Sequence, residues 1–216
     1  MTKLLRDVSP HRYESTSSLL GLTLVRQGLL SDAQYKKASK IERESGEELG
    51  EIVVRFGWLT ERQVTDVRAT QWNCPVFPCS SFTPNTDLGL PSLLTHRYAM
   101  LPLHFAANTL FVGFAYEVDY AALYAIESIT GCSTRPCMIM PSEFKHIASQ
   151  TAAIAVSQEW DENSFGTSAE MTESLCRQGA SMNADQVMMV RCGGLIWCRT
   201  KAADKKFDLL FHCQSS

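Results

Sequence analysis

No run of apolar residues in this 216-residue sequence approaches the roughly 18 that a membrane-spanning helix requires. The opening stretch from Met1 to Ser18, with Lys3, Arg6, Asp7, Pro10 and Glu14, also lacks the apolar core of a signal peptide. The expectation is a cytoplasmic protein with no direct membrane insertion. A second absence is a Gly-x-x-x-x-Gly-Lys-Ser/Thr loop, and with it the phosphate cradle, the lysine on the terminal phosphates and the hydroxyl for magnesium. On that chemistry these residues do not hydrolyse ATP. Nor is there a basic stripe: the net charge is −3 with the signs interspersed, which argues against nucleic acid as a partner. The eight cysteines include no Cys-x-x-Cys and the five histidines no helical ligand pair, so no metal site is expected and the thiols read as reduced, packed small hydrophobes.

What is present is an ordinary globular composition, 45% hydrophobic, enough for a sizeable core and long enough for two small domains. Its organising feature is a helical hairpin written twice, 29 positions apart. Leu20-Gly21 returns as Leu49-Gly50, Gly28 as Gly57, Leu30-Ser31 as Leu59-Thr60, and Gln34 as Gln63. Each copy starts with a short helix whose apolar residues recur at helical spacing (Leu20, Leu24 and Val25; Leu49, Ile52, Val53 and Phe56) and stops at a glycine suited to a left-handed cap. Ser31-Asp32-Ala33-Gln34 and Thr60-Glu61-Arg62-Gln63 then read as capping boxes, with Leu30 and Tyr35, and Leu59 and Val64, as hydrophobic staples. Neither copy can bury its apolar face alone, so the two should pack on each other with pseudo-symmetry.

Further along, the pattern predicts an α+β fold. Residues 1–15 read as a flexible leader, 16–72 as the duplicated helical domain, 91–156 as an α+β domain, and 168–216 as a helix with antiparallel strands. Trp72–Pro91, with four prolines, is expected to be a tether, and Ser157–Ser168 a second linker. The α+β domain should hold a short helix over 92–98, an extended segment from Ala99, a strand over Thr109–Ala115, a helix over Tyr120–Thr130 stopped by Gly131, a strand over Ser133–Met140, and a helix capped by Ser142 and running to Val156. The tail should hold a helix over Ala169–Gln178 ended by Gly179, then strands over 186–191, 195–200 and 207–213 with a Gly193-Gly194 turn and a longer one over Lys201–Lys206. Trp197, Phe207, Leu209 and Phe211 are expected on one side of that sheet, against the helix.

The duplicated stretch resembles the N-terminal domain of the ATPases that drive type II secretion and type IV pilus assembly. In the cyclic di-GMP-binding members of that family, two tandem 24-residue motifs begin Arg-Leu-Gly, end near Gln and are separated by five residues; here they would be 19–42 and 48–71, with Arg43–Glu47 between them. The resemblance carries Leu20, Gly21, Leu24, Val25 and Gly28 from the first motif, and Leu49, Gly50, Val53, Val54, Gly57, Val64 and Gln71 from the second. It extends through Leu101-Pro102-Leu103, Thr109-Leu110-Phe111-Val112, Asp119 and Thr130-Gly131, covering about residues 19–156.

That resemblance implies the regulatory front end of such an ATPase without its motor. The expected function is a non-catalytic docking module for a protein component of a secretion or pilus machine, needing no cofactor. The alternative it implies is a cyclic di-GMP receptor, in which Leu20, Leu24, Leu49 and Val53 floor the bases and Gly21 and Gly50 admit close backbone approach. Leu19 and Glu48 stand where the motifs open with arginine, and Glu42 stands where the first closes with Gln, so a bis-phosphate would meet carboxylates, with Arg26, Arg43 or Arg55 as substitute cations. An enzyme is the third class; His212-Cys213, Asp161-Glu162 and Asp185 are its only candidate groups, and their spacing suits a strand and solvated loops better.

Overall fold

The computed structural model describes residues 19–79, 90–152, 159–162, 168–203 and 205–212. The leader 1–15, half of the 72–91 segment, the expected helix end at 153–156, much of the 157–168 linker and Cys213 lie outside the described residues. The fold is α+β: a helical unit followed by two small sheets with their helices.

The helical unit consists of α1 (19–26), α2 (Asp32–Ser45), α3 (Leu49–Arg55) and α4 (Glu61–Gln71). Both capping boxes form. Ser31 N–H donates to Gln34 Oε1 at 2.9 Å while Gln34 N–H donates to Ser31 Oγ at 3.3 Å, and Thr60 and Gln63 repeat this at 2.8 and 3.2 Å. Gly28 and Gly57 take φ of +71° and +67°, the left-handed caps that close α1 and α3. Leu20, Leu24, Leu30, Leu49, Ile52, Val53, Leu59, Val64 and Val67 fuse the two copies into one apolar core.

The next unit begins with α5 (Ser92–Arg97), then β1 (Met100–Ala106), β2 (Thr109–Phe114), α6 (Tyr120–Thr130), β3 (Ser133–Met138) and α7 (Pro141–Ala152), the sheet running β1-β2-β3 with β1 antiparallel and β3 parallel to β2. Gly131, at φ +73°, stops α6 as its position implies. Two expectations change here. The described start of the 72–91 segment is not a tether. Val76 bridges Met138 in parallel, with Met138 N–H donating to Pro75 O and Phe77 N–H to Met138 O, each at 2.8 Å. The prolines fit this because Pro75 contributes only its carbonyl and Phe77 supplies the needed N–H. Ser142 is not a cap either: α7 starts at Pro141, Glu143 reaches back to Met140 N–H at 3.2 Å, and Ser142 instead binds Glu61.

The second sheet, in the order β4-β7-β6-β5, contains β4 (Glu159–Glu162), β5 (Gln186–Cys192), β6 (Leu195–Ala202) and β7 (Lys205–His212), preceded by α8 (Ser168–Met182). Thus the expected second linker holds a strand, β4, parallel to β7. Gly179 does not end α8; the helix passes through it to Met182, and Asn183, at φ +52°, takes the left-handed turn instead. The Lys201–Lys206 turn is shorter than expected because β6 and β7 pair out to Ala202 and Lys205. Phe207, Leu209 and Phe211 do face α8, packing with Met171, Leu175 and Met182. Trp197 is on the opposite face, since it pairs with Leu210 rather than Leu209, and it joins Leu195, Val190 and Cys192 in the core that α6 shares with the first sheet. Helix α6 touches both β3 and β5.

Candidate functional site

The tandem motif residues divide into three groups. Leu20, Leu24, Leu49 and Val53 are almost fully buried inside the helical unit, so their surfaces face protein rather than an open floor. Val25 and Val54 are half-buried at its margin, and Gly28 and Gly57 are exposed with no atom near an added Cβ. Gly21 and Gly50 are close-approach positions, but for their own copy's second helix. An added Cβ on Gly21 would stand 2.2 Å from the Tyr35 ring, and one on Gly50 would stand 2.6 Å from Arg68 Nη2 and 2.9 Å from Val64 Cγ1.

The last motif residues cross over between copies. Gln71 Nε2 donates to Leu19 O at 3.1 Å and to Thr23 Oγ1 at 2.9 Å, so the end of the second copy holds the start of the first. Glu42 Oε1 accepts from Leu49 N–H at 3.0 Å, so the end of the first holds the start of the second. A carboxylate suits that role, since the opening of a helix presents unpaired N–H groups and positive potential.

Glu48 is also occupied. Its carboxylate caps α3 by accepting from Glu51 N–H at 3.2 Å, and its other oxygen lies 2.5 Å from Arg68 Nη2. Arg68 is only 4% exposed; its Nη1 donates to Ala115 O at 3.2 Å and its guanidinium lies over the Tyr116 ring. A carboxylate here is therefore compensated rather than repelling, and the compensating cation is none of the three arginines considered from sequence. Arg55 is held by Glu47 through bonds of 3.0 and 2.7 Å, Arg43 Nε donates to Ser39 O at 3.2 Å, and Arg26 is exposed.

Of these groups, Glu47, Arg55 and Arg68 line a cleft of about 330 Å³ where α3 and α4 meet the start of α7. Gly50, Val54 and Val64 form its apolar part. Around them, Glu51 Oε1 accepts from Tyr116 Oη and from Lys145 Nζ, both at 2.6 Å, and Glu61 receives Ser142 N–H at 2.7 Å and Ser142 Oγ at 2.6 Å. Burial pushes the Glu51 carboxyl up, but the Lys145 and Tyr116 bonds outweigh it and hold its pKa below the usual value. Burial, reinforced by Glu51, pushes the Tyr116 phenol up. The sequence did carry one trace of this site: in the 29-residue register, Arg68 replaces Ser39 and Glu51 replaces Leu22.

Elsewhere, burial raises the thiols of Cys79 and Cys198 to about 12 and that of Cys137 to about 11, which disfavours thiolate chemistry. Asp208 is bound by Trp197 Nε1 at 2.7 Å and by Arg199 at 2.8 Å through both oxygens, a closed buried set. Asp161 and Glu162 belong to β4, and His212 to β7. Among the described residues, no group of three His, Cys, Asp or Glu is placed to hold a metal ion, and no helix is long and apolar enough to cross a membrane.

No protein-family model matches the sequence. The chain is, however, similar to two curated relatives. It is 26% identical over 117 residues to the type IV pilus assembly ATPase PilB of Myxococcus xanthus, a match covering 53% of this chain and 21% of that protein. It is 27% identical over 129 residues to PilB of Thermus thermophilus, covering 58% of this chain and 14% of that protein. The chain thus spans only about a fifth and a seventh of those relatives. Similar solved structures include MshE with cdg (25% identity, TM-score 0.47, 61% of this chain and 96% of that one) and the N-terminal domain of XpsE (19%, 0.48, 64% and 94%). The resemblance to pilus assembly ATPases read from the motifs is matched by the similarity to PilB.

Proposed function

We propose that this chain is a non-catalytic regulatory or docking module that binds a protein component of a type II secretion or type IV pilus machine. The similarity to PilB supports the machine. The docking reading is carried by the junction cleft, whose charges are already matched within the chain: Glu51 with Lys145 and Tyr116, Glu48 with Arg68, Glu47 with Arg55. Within that set Glu51 joins the helical unit to Tyr116 and Lys145 of the α+β unit, and the pairing as a whole leaves few donors for a phosphate. The face best composed for contact is Phe56 stacked on Trp58 at 4.9 Å, with Lys37 Nζ 4.5 Å from the Phe56 ring centre and Arg55 beside it; aromatic and basic groups together suit an acidic partner surface.

The test is affinity capture of pilus or secretion components on the immobilised chain, repeated with Trp58→Ala and Lys37→Glu. Specific capture of a component, lost in both folded variants, is expected; capture indifferent to both changes would refute this face. A cyclic di-GMP receptor using motifs 19–42 and 48–71 is the second reading, favoured by one observation: Arg68 stands in the cleft wall beside Gly50 and Val54. About 330 Å³ is at the small end for a ligand pocket, so a cyclic dinucleotide would have to open the junction to enter.

A further inference from the structure

Strand β5 is an edge of the second sheet, pairing with β6 on one side and with no strand on the other among the described residues. Protein edges are normally blunted by lysine, proline, a bulge or a covering element. This one reads Gln-Val-Met-Met-Val-Arg-Cys, without proline or lysine, and its pairing with β6 is regular from Gln186 to Cys192. Its two faces are treated differently. Val190 and Cys192 enter the core beneath α6, with Met188 partly buried against it. On the other face, Val187 and Met189 are 53% and 56% exposed although Cys198, across the strand from Met189, is fully buried. Among the described residues, helix α8 packs on that face over β6 and β7 and leaves Val187 and Met189 exposed beside it, while α6 packs against β5 from the core side.

The geometry points to a second copy of this chain as the occupant of the β5 edge. The argument is register. If two β5 strands meet antiparallel about Met188, Val187 of each lies opposite Met189 of the other, twice, and Asp185 of each lies opposite Arg191 of the other, twice. Asp185, Val187, Met189 and Arg191 alternate onto one face of the strand and all are exposed, so the apolar pairs sit centrally with an ion pair at each end. Two four-stranded sheets would become one of eight strands. Shifting the centre by one residue to Met189 sets Val187 against Arg191 and forfeits both ion pairs, so the sequence itself selects the register.

This contact goes beyond docking to a secretion or pilus component and needs no such partner, so the two readings fail separately. The experiment is sedimentation equilibrium of the purified full chain from micromolar to millimolar concentration. The expected result is a monomer–dimer equilibrium. Asp185→Arg and Arg191→Asp should each weaken dimerisation at least tenfold, and the double change should restore it, because the ion pairs reform with reversed sign. Met189→Lys, at an exposed position, should give a folded monomer by circular dichroism and keeps the test decisive if either charge reversal impairs folding. A chain that stays monomeric throughout, or a dimer indifferent to Met189→Lys, overturns the proposal, the former leaving a peptide strand of another protein as the occupant.

Discussion

The two hairpin copies share a scaffold and differ in what their surfaces are for. In the first, Leu19 and Leu22 of α1 are each 55% exposed, and Ser39 stands on α2. In the second, the corresponding positions hold Glu48, Glu51 and Arg68, which together engage Ala115, Tyr116 and Lys145 of the α+β unit. The capping boxes, Gly28 with Gly57, Leu20 with Leu49 and Leu30 with Leu59 are kept in both copies, while the surface has diverged into one face that faces solvent and one that is joined to the rest of the chain. Glu48, Glu51, Glu61 and Arg68, in the places of Leu19, Leu22, Asp32 and Ser39, separate the roles of the two copies.

Making the two copies alike should be the most damaging change. Glu48→Arg, the residue the motif resemblance favours, would remove the partner of buried Arg68 and set two cations together, costing about 4 kcal/mol. Leu19→Arg at the equivalent exposed position should cost less than about 0.5 kcal/mol. Urea denaturation of both variants measures the contrast; similar losses would refute the division. Next comes crowding. Gly50→Ala places its Cβ against Val64, a buried β-branched side chain that cannot swing away, and should cost about 2 kcal/mol. Gly21→Ala meets the half-exposed Tyr35 ring, which can turn outward, and should cost about 1 kcal/mol or less.

Where the copies are equivalent, the effects should be equal. Gly28→Val and Gly57→Val each force a β-branched residue into a left-handed cap and should each lose about 1 to 2 kcal/mol, with a difference between them contradicting the shared cap. The smallest effect is a pH dependence confined to the second copy. Because the Glu51 pKa is lowered in the folded state, its stabilisation is present above the unfolded value of 4.5 and disappears as pH falls through the folded value. The melting-temperature gap between the native chain and Glu51→Gln should therefore close on acidification, whereas Leu22→Gln should show no such pH-dependent gap.

Much that is decided within a few residues was legible in the sequence, although Gly179 does not stop α8 and Ser142 does not cap α7. Ser31 with Gln34, Gly28, Gly131 and the Gly193-Gly194 turn each act through local backbone geometry, and all appear where their spacing implies. What was hidden depends on partners distant in the chain. Pro75–Phe77 looks like a tether until Met138 is beside it, β4 has no strand character without β7, and Trp197 shares a face with Leu210 only through the β6–β7 register. The site followed the same rule: Arg68 is an ordinary helical arginine in sequence, and its role appears when Ala115, 47 residues on, is placed against it. The repeat register held the clue, because a departure from an otherwise faithful duplication marks where the copies serve different ends.

We propose that the second copy's charges are engaged at the junction and not with a ligand's phosphates. Calorimetric titration of cyclic di-GMP into the native chain, with Arg68→Met in parallel, tests it most directly. The native chain should give no heat of binding at micromolar ligand, and the melting temperature should fall in the Arg68→Met variant as the junction loses its buried cation. Submicromolar binding by the native chain, abolished in a folded Arg68→Met variant of unchanged melting temperature, would contradict it.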